Sequence, residues 1–541
     1  MLFFPVMKMK KKKILFTSVY KPFDTFEDGT PMMDLYAGRL TKGQGIFTFR
    51  SHYPALPLFL IAENISIPAV VLENPPLRAL RKELEKGYDY LAIHFAASLF
   101  YDRVLTICKM AKEISPSIEI ILGGYGVVCV SQDFENEKEL RSLVDHICHG
   151  EGVRFMRELL GDPVDAPIQE RFPTTRFSFF GVRIYFDNLL AAVGCRAGCE
   201  FCATSAFFQR KKIQLLSPSE LVEHLKENAR KNKSAFTWVF DEDFFSERNY
   251  VREFASLVAA DPECLPGKFS WGGFGSISTL SRYSPEELVR MGVRSLWIGI
   301  ESKFSDLPKR QGKDVREFFA SLHDAGISTI GSFIVGWDFH TSENIVEDID
   351  HVVEVNPTFA QISSLMPCPE TKLWDRMKKE GRLRTEGFTW KGFHLYANIH
   401  RHLHLPDDSI QRWVLETQNR IFEVNGPSIL KSFEVDMLGY RKWKDHSDPK
   451  LQTRASFHKK WCHRTYMALA AVARFGPSEI VRKKARAAIL EYRKEFGPPS
   501  LVQHIGSLWL VTVAALSFYF PSIFCRSFQP PFSRTVYRGA K

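Results

Sequence analysis

From Tyr185 to about residue 395 the chain alternates short β-rich runs with amphipathic helical patterns, and this alternation restricts the fold more than any other feature. It predicts strands over Asn188–Val193, Phe236–Phe240, Phe269–Gly273, Ser295–Ile300, Thr329–Val335 and Phe359–Ser363. Helical patterns over Pro218–Asn232, Arg252–Ala259, Pro285–Met291, Asp314–Ala325 and Glu343–Val355 fill the gaps. A strand followed by a crossover helix returns the chain in the same direction, so such units build a parallel sheet wrapped by helices. A closed eight-unit barrel takes about 250 residues. Six units in roughly 180 residues predict a partial barrel, open on one side, with its chemistry at the carboxyl ends of the strands.

The first run leads into Gly194-Cys195-Arg196-Ala197-Gly198-Cys199-Glu200-Phe201-Cys202, a glycine-rich loop with the spacing C-x3-C-x2-C. Three thiolates on one tight loop can close around a single metal centre, and soft sulfur ligands select zinc or iron–sulfur clusters. Structural zinc takes four ligands, usually as two separated pairs, and the chain holds no second C-x2-C. Three cysteines leave one iron of a [4Fe-4S] cluster without a protein ligand, so something else is expected to bind there. Three incidental thiols would not account for the spacing, the loop and the strand position together.

The motif, with an aromatic residue just before its third cysteine, closely resembles that of the radical S-adenosylmethionine (SAM) enzymes, whose known fold is a six-unit partial barrel. The resemblance implies that Cys195, Cys199 and Cys202 ligate a [4Fe-4S] cluster, and that the amine and carboxylate of SAM chelate the fourth iron. One electron, from a donor such as flavodoxin or ferredoxin, then cleaves SAM to methionine and a 5′-deoxyadenosyl radical that abstracts hydrogen from substrate. Asp241-Glu242-Asp243-Phe244 resembles the family's D-D-x-F variant, which puts Asp241 and Asp243 on SAM. Gly299-Ile300-Glu301-Ser302 resembles G-x-E-S, with Glu301 on the ribose hydroxyls, and Phe333-Ile334-Val335-Gly336 ends the fifth strand, where the family packs the adenine. Pro367-Cys368-Pro369-Glu370-Thr371 stands where relatives usually carry P-x-P-G-T, with Glu370 in place of glycine. Singly, each short motif reads as an acidic loop or strand cap. Their order and strand positions carry the resemblance, which covers about 185–395.

Upstream, Lys13–Val19, Ile67–Glu73, Tyr90–His94, Ile118–Leu122 and Asp145–Cys148 are β-rich runs separated by helical patterns, clearest at Leu77–Lys86 and Tyr101–Ile114. Continuous apolar runs of this kind suit a parallel sheet covered on both faces. Gly123-Gly124 and Gly150-Glu151-Gly152 follow two of the runs, at the sheet edge where open α/β sheets bind ligands; tight turns are the alternative reading. An α/β domain placed directly before such a barrel looks like the cobalamin-binding subclass of the family. In that subclass SAM methylates cobalt and a substrate radical takes the methyl group. The D-x-H-x-x-G motif that supplies a histidine to cobalt is missing: the first loop reads Ser18-Val19-Tyr20-Lys21-Pro22-Phe23. Cobalamin is therefore expected without a protein histidine on the metal, with Gly123, Gly124, Gly150 and Glu151 around it. His94 and His149 are candidate neighbours, or ordinary strand-end histidines.

Beyond residue 395 the character changes. Residues 441–541 hold 19 Lys and Arg against 5 Asp and Glu, a local charge of +14, leaving 53 against 57 elsewhere. Ile505–Cys525 follows with no charge over 21 residues, long enough as a helix for a hydrocarbon core of about 30 Å. A membrane-associated helix and a buried helix capping the barrel are both open. The 45 phenylalanines, among them Phe207-Phe208 and Phe244-Phe245, lean toward an apolar substrate, though such residues are more often plain core. MLFFPVMKMKKKKILF is not a secretory signal, because its apolar stretch is short and precedes the lysines.

The expected fold class is α/β. It comprises an N-terminal Rossmann-like, doubly wound, cobalamin-binding-like domain (1–180), a partial (β/α)6 barrel (181–395) and a mostly helical basic region (396–541). The expected function is radical SAM chemistry, with cobalamin-dependent methylation of an unactivated carbon in an apolar, lipid-like substrate. The expected location is the cytoplasm, attached to an anionic membrane surface through the C-terminus, with no DNA partner. The alternatives are a radical SAM modification of RNA or peptide without cobalamin, and a non-enzymatic iron–sulfur scaffold, which would not need the acidic SAM-type motifs.

Overall fold

The computed structural model describes residues 12–19, 40, 50–130, 137–179, 182–231, 236–305, 314–384, 389–390, 393, 399–520 and 531–539. The N-terminal strands are β1 (Ile14–Ser18), β3 (Ala69–Glu73), β4 (Tyr90–His94), β5 (Glu119–Gly123) and β6 (His146–Cys148), with a short β2 (Arg50–His52) that belongs elsewhere. These five are parallel, in the order β3-β1-β4-β5-β6. All five residues of β1 and of β3 are buried, as a sheet covered on both faces requires. Numbered within the domain the order is 2-1-3-4-5, the flavodoxin-like doubly wound arrangement, whose ligand crevice lies outside the carboxyl ends where the strand order reverses.

The second sheet contains β7 (Thr175–Phe179), β8 (Val182–Leu189), β11 (Phe236–Val239), β12 (Ser270–Gly275), β13 (Val293–Gly299), β14 (Ser328–Val335) and β15 (Phe359–Ser364). From β8 through β15 its six strands are parallel and follow sequence order, which is the half-barrel read from the alternation. The first of them ends at Leu189, earlier than the expected Asn188–Val193. The apolar stretch there is split, because Ala192–Val193 (β9) turns away to pair with Ile213–Gln214 (β10).

Two segments cross the boundaries expected at 180 and 395. β7 pairs antiparallel with β8, and β2 pairs antiparallel with β7, so residues 50–52 extend the barrel sheet. In the C-terminal region, β16 (Ser533–Tyr537) pairs antiparallel with β3 at the edge of the N-terminal sheet. Arg534 reaches Glu83 with both Nε (2.9 Å) and Nη2 (2.7 Å). Burial alone would raise the Glu83 pKa, but Arg534, Lys86 and Tyr88 overcome it and hold the carboxyl down at about 2.

Between the sheets and β16 lie helices Ser409–Val424, Ser428–Trp443, Pro449–Phe475, Glu479–Phe496 and Leu501–Tyr519. Arg454, fully buried, fixes this layer to the barrel by donating to the carbonyls of Pro266 (3.2 Å) and Val293 (3.0 Å). The last helix is mostly exposed. Gln503, Val513, Ala514 and Ser517 face inward, while Leu501, Ile505, Leu508, Trp509, Leu516 and Tyr519 form an exposed stripe. The expected apolar segment 505–525 thus lies on this helix up to Tyr519, and residues 521–525 lie outside the described residues.

Candidate active site

The cysteine loop leaves β9 at Gly194 and enters the short helix Ala203–Phe207 directly after Cys202. Gly194 and Gly198 both have left-handed backbone, φ 83° and 70°. A Cβ at Gly194 would stand 2.3 Å from the Lys211 carbonyl oxygen, and one at Gly198 would stand 2.5 Å from Nε of Arg210. The torsion favours glycine at both positions, and at Gly194 the close backbone approach demands it as well. Ser205, buried, fastens the loop: its hydroxyl donates to the Cys195 carbonyl (3.1 Å) and accepts from the Gly198 amide (3.1 Å). Phe201 packs edge-on against Trp337, ring centroids 5.2 Å apart. Among the described residues no three His, Cys, Asp or Glu side chains converge on a single-ion site. Cys195, Cys199 and Cys202 instead line one wide cavity together.

That cavity, about 700 Å³, lies between the two sheets. One wall is the carboxyl edge of the N-terminal sheet, with His94, Gly123, Gly124, Gly150 and Glu151, and the opposite wall is the cysteine loop with Phe207 and Phe208. Gly124 has φ 105°, and a Cβ there would press to 2.8 Å on the Phe95 carbonyl oxygen. Gly150 has φ 134° with nothing within 4 Å of a would-be Cβ, so its backbone stands open for a ligand to approach. Glu151 is not free: its carboxylate caps helix Gly152–Leu160, accepting from the Val153 (2.6 Å) and Arg154 (2.9 Å) amides. Burial pushes His94 down to about 4, leaving a neutral imidazole at the end of the central strand. Tyr20–Phe23, where the missing histidine motif was sought, lie outside the described residues.

A second, smaller cavity of about 220 Å³ opens at the carboxyl ends of β11 to β14, and Cys195 lines it too. Asp243 and Glu301, the residues expected on SAM, line it. Asp243 accepts from Thr279 Oγ1 (3.0 Å) and Ser276 Oγ (3.2 Å). Glu301 has left-handed φ 58° and folds its carboxylate over Gly299, where a Cβ would stand 2.4 Å from Oε1.

Asp241 departs from expectation. Its carboxylate is buried 2.9 Å from Nζ of Lys212 and lines neither cavity. Burial raises its pKa to about 6 against the pull of Lys212. Glu242, not singled out in the sequence, lines both cavities. Its Oε1 accepts from Tyr125 of the N-terminal domain (3.4 Å), its Oε2 is buried without a partner among the described residues, and burial raises its pKa to about 7. Trp238 and Phe240 point into the barrel and Val239 into the outer core, but the strand ends at Val239, and beyond it Glu242 and Asp243 both line the small cavity while Asp241 does not. Gly336 makes a left-handed turn (φ 89°) whose amide donates to His340 Nδ1 (3.0 Å), while its neighbours Ile334 and Trp337 line the small cavity. Phe207, Phe208, Phe240 and Phe274 line the large cavity, whereas Phe244 and Phe245 are plain core.

The sequence profile of the radical SAM superfamily matches residues 190–352, which span the cysteine loop and the strands that frame both cavities. Residues 190–352 of this chain are a radical SAM domain. The radical SAM region is also shared with relatives of low identity. An uncharacterised methyltransferase of Pyrococcus horikoshii is 20% identical over 363 residues, 60% of this chain and 76% of the relative. The hopanoid C-2 methylase of Rhodopseudomonas palustris is 21% identical over 389 residues, 68% of this chain and 70% of the relative. Among solved structures, the radical SAM methyltransferase TsrM from Kitasatospora setae, with tryptophan and a SAM analogue bound, superposes with a TM-score of 0.50 at 11% identity. That superposition covers 90% of this chain and 99% of TsrM, and at such identity the likeness concerns the fold.

Proposed function

We propose that this protein is a cobalamin-dependent radical SAM methylase acting on an unactivated carbon of a large apolar molecule. The observation that carries the proposal is the single cavity walled by the carboxyl edge of a flavodoxin-like sheet on one side and by three cysteines on the other. In this reading Cys195, Cys199 and Cys202 hold a [4Fe-4S] cluster, and the small cavity takes SAM. Asp243 and Glu242 accept hydrogen bonds from its ammonium, and Glu301 accepts from its ribose. Gly123, Gly124 and Gly150 let cobalamin approach the sheet edge closely. The cluster supplies the electron that cleaves SAM, and cobalamin carries the methyl group. Glu151 orders the helix behind the cobalamin wall and is a positioning residue.

The donor set supports this assignment: soft thiolates suit iron–sulfur chemistry, and Gly150 leaves open the space a side chain would fill. The methylase names of the relatives support methyl transfer, and Phe207, Phe208, Phe240 and Phe274 in the lining of the large cavity support an apolar substrate. Delivery at a membrane is part of the reading. The exposed stripe on helix Leu501–Tyr519 carries no charge, while Lys459, Lys460 and Arg464 on the helix beneath it suit anionic headgroups, at about 1 kcal/mol each. The electron donor is an acidic one-electron carrier such as flavodoxin or ferredoxin.

Anaerobic reconstitution with hydroxocobalamin, followed by desalting, tests the proposal. Corrin absorbance retained in about equal stoichiometry to protein is expected. An intact cluster with no retained corrin would leave radical SAM chemistry without cobalamin as the reading.

A further inference from the structure

We infer that a groove on the outer face of the half-barrel binds a phosphate-bearing ligand with an apolar body. The groove encloses about 670 Å³ and shares no lining residue with the two cavities at the cysteine loop, so it stands apart from the methylase reading. It exists because the barrel helix at this position, Pro285–Arg290, is only six residues long and leaves helix Arg248–Ala260 partly uncovered. Arg248 and Arg252 lie one turn apart on that helix and share a face, and Arg282 meets them from the opposite wall.

The charges there are unbalanced. Glu287, the one carboxylate in the lining, accepts from the Ser284 amide (2.7 Å) in the capping box of its own helix. Arg290 is paired with Glu286 and Asp448, and Lys450 donates to the Ala259 carbonyl (2.9 Å). Among the described residues no ion pair neutralises Arg248, Arg252 or Arg282. All three act on the phenol of Tyr283, lowering its pKa against the larger rise that burial imposes. Like charges gathered in a concavity repel unless an anion lies between them. Guanidinium forks match phosphate oxygens two at a time. Beside them Ala255, Ala259 and the ring of Tyr283 give a partly exposed apolar floor, which a bare phosphate would leave uncovered.

Calorimetry on the full-length protein at low salt tests this, with hexyl phosphate and inorganic phosphate as probes. Hexyl phosphate should bind saturably and at least tenfold more tightly than inorganic phosphate, because only it covers the floor. The R248Q/R252Q/R282Q variant should lose at least tenfold in affinity, and K378Q/K379Q, with charge removed from exposed positions outside the groove, should bind as wild type. Flotation with phosphatidylglycerol vesicles separates the two sources of such a ligand. With a headgroup ligand, vesicle binding falls in the arginine variant together with the hexyl phosphate signal, and with a soluble ester the signal falls without a vesicle effect. No binding of either probe, equal binding in the arginine variant, or equal losses in the arginine and lysine variants would overturn the inference.

Discussion

Nε2 of His149 stands 2.7 Å from Oε2 of Glu370, across 221 positions of sequence. The pair joins the loop after β6 of the N-terminal sheet to the turn after β15 of the half-barrel, and the imidazole stacks on Phe207 of the cysteine-loop helix, centroids 4.6 Å apart. Glu370 occupies the position where the family motif has glycine, and its backbone retains the left-handed torsion glycine would adopt, φ 67°. A strained carboxylate thus replaces an unstrained glycine and bridges the barrel to the segment that carries Cys148 and Gly150 of the large cavity.

The strain and the bridge separate by mutation. Glu370→Gln keeps the torsion and weakens the bridge, whereas Glu370→Gly abolishes the bridge and relieves the torsion, which costs about 1–3 kcal/mol. A half-exposed ion pair is worth under about 1 kcal/mol. Glu370→Gly should therefore be the more stable of the two by about 1 kcal/mol or more in denaturant titration. Equal stability would show that the torsion is not strained.

Asp241 and Glu242 should fail differently. Lys212→Met leaves a buried carboxylate unpaired, which costs about 3–5 kcal/mol, and Lys212→Met with Asp241→Leu should recover most of it. Glu242→Gln should preserve stability and weaken SAM binding about tenfold in calorimetry on the cluster-loaded protein. If Asp241→Asn weakened SAM more than Glu242→Gln, the roles assigned to the two side chains would be reversed.

Acid should loosen the C-terminal layer. His458 is fully buried, with Nδ1 2.8 Å from Asp436 Oδ1 and Nε2 accepting from Arg454 Nε (3.2 Å). Burial lowers its pKa to about 4, with Asp436 opposing and Arg454 reinforcing. The unfolded chain, with histidine near 6.5, takes up the proton first. Stability held by the neutral ring is complete above about pH 6.5, falls as pH drops from there toward 4, and levels off below. The span amounts to about 3 kcal/mol. His458→Gln should flatten the slope of unfolding free energy between pH 6.5 and 4. A slope equal to wild type would place the titration elsewhere, and His94, His323 and His400, also pushed down to about 4, are the groups with the same sign.

The membrane contact is tested without truncation, because removing residues after Pro499 also removes β16 and strips Glu83 of Arg534. Substituting Ile505, Leu508 and Trp509 together by Gln changes only exposed side chains. The full-length protein should sediment with anionic vesicles and the triple variant should not, with melting temperatures within a few degrees. Equal sedimentation would remove the helix from the account.

Much of the molecule was legible because parallel sheets write themselves plainly. Buried strands such as Ile14–Ser18 read as unbroken apolar runs, and the cysteine spacing has few other uses. What escaped was non-local. β16 alternates half-buried and exposed residues over five positions, and nothing in them announces a partner 460 residues away, as Ser533 and Glu73 are. Asp241, Glu242 and Asp243 follow the end of β11, where alternation no longer applies, so motif matching singled out Asp241 and Asp243 while nothing local marked Glu242 as lining the cavity. The glutamate at 370 was visible as a departure, but its purpose needed His149 in view.

The central claim is that Cys195, Cys199 and Cys202 hold a cluster that cleaves SAM. The most direct measurement is 5′-deoxyadenosine formation by anaerobically purified protein, given SAM and dithionite, in wild type and in C195A/C199A/C202A. The account predicts about four irons per chain and deoxyadenosine in wild type, as a [4Fe-4S] cluster requires, with neither in the variant. Deoxyadenosine at wild-type levels in the variant, or stoichiometric zinc in place of iron in the native protein, would contradict it.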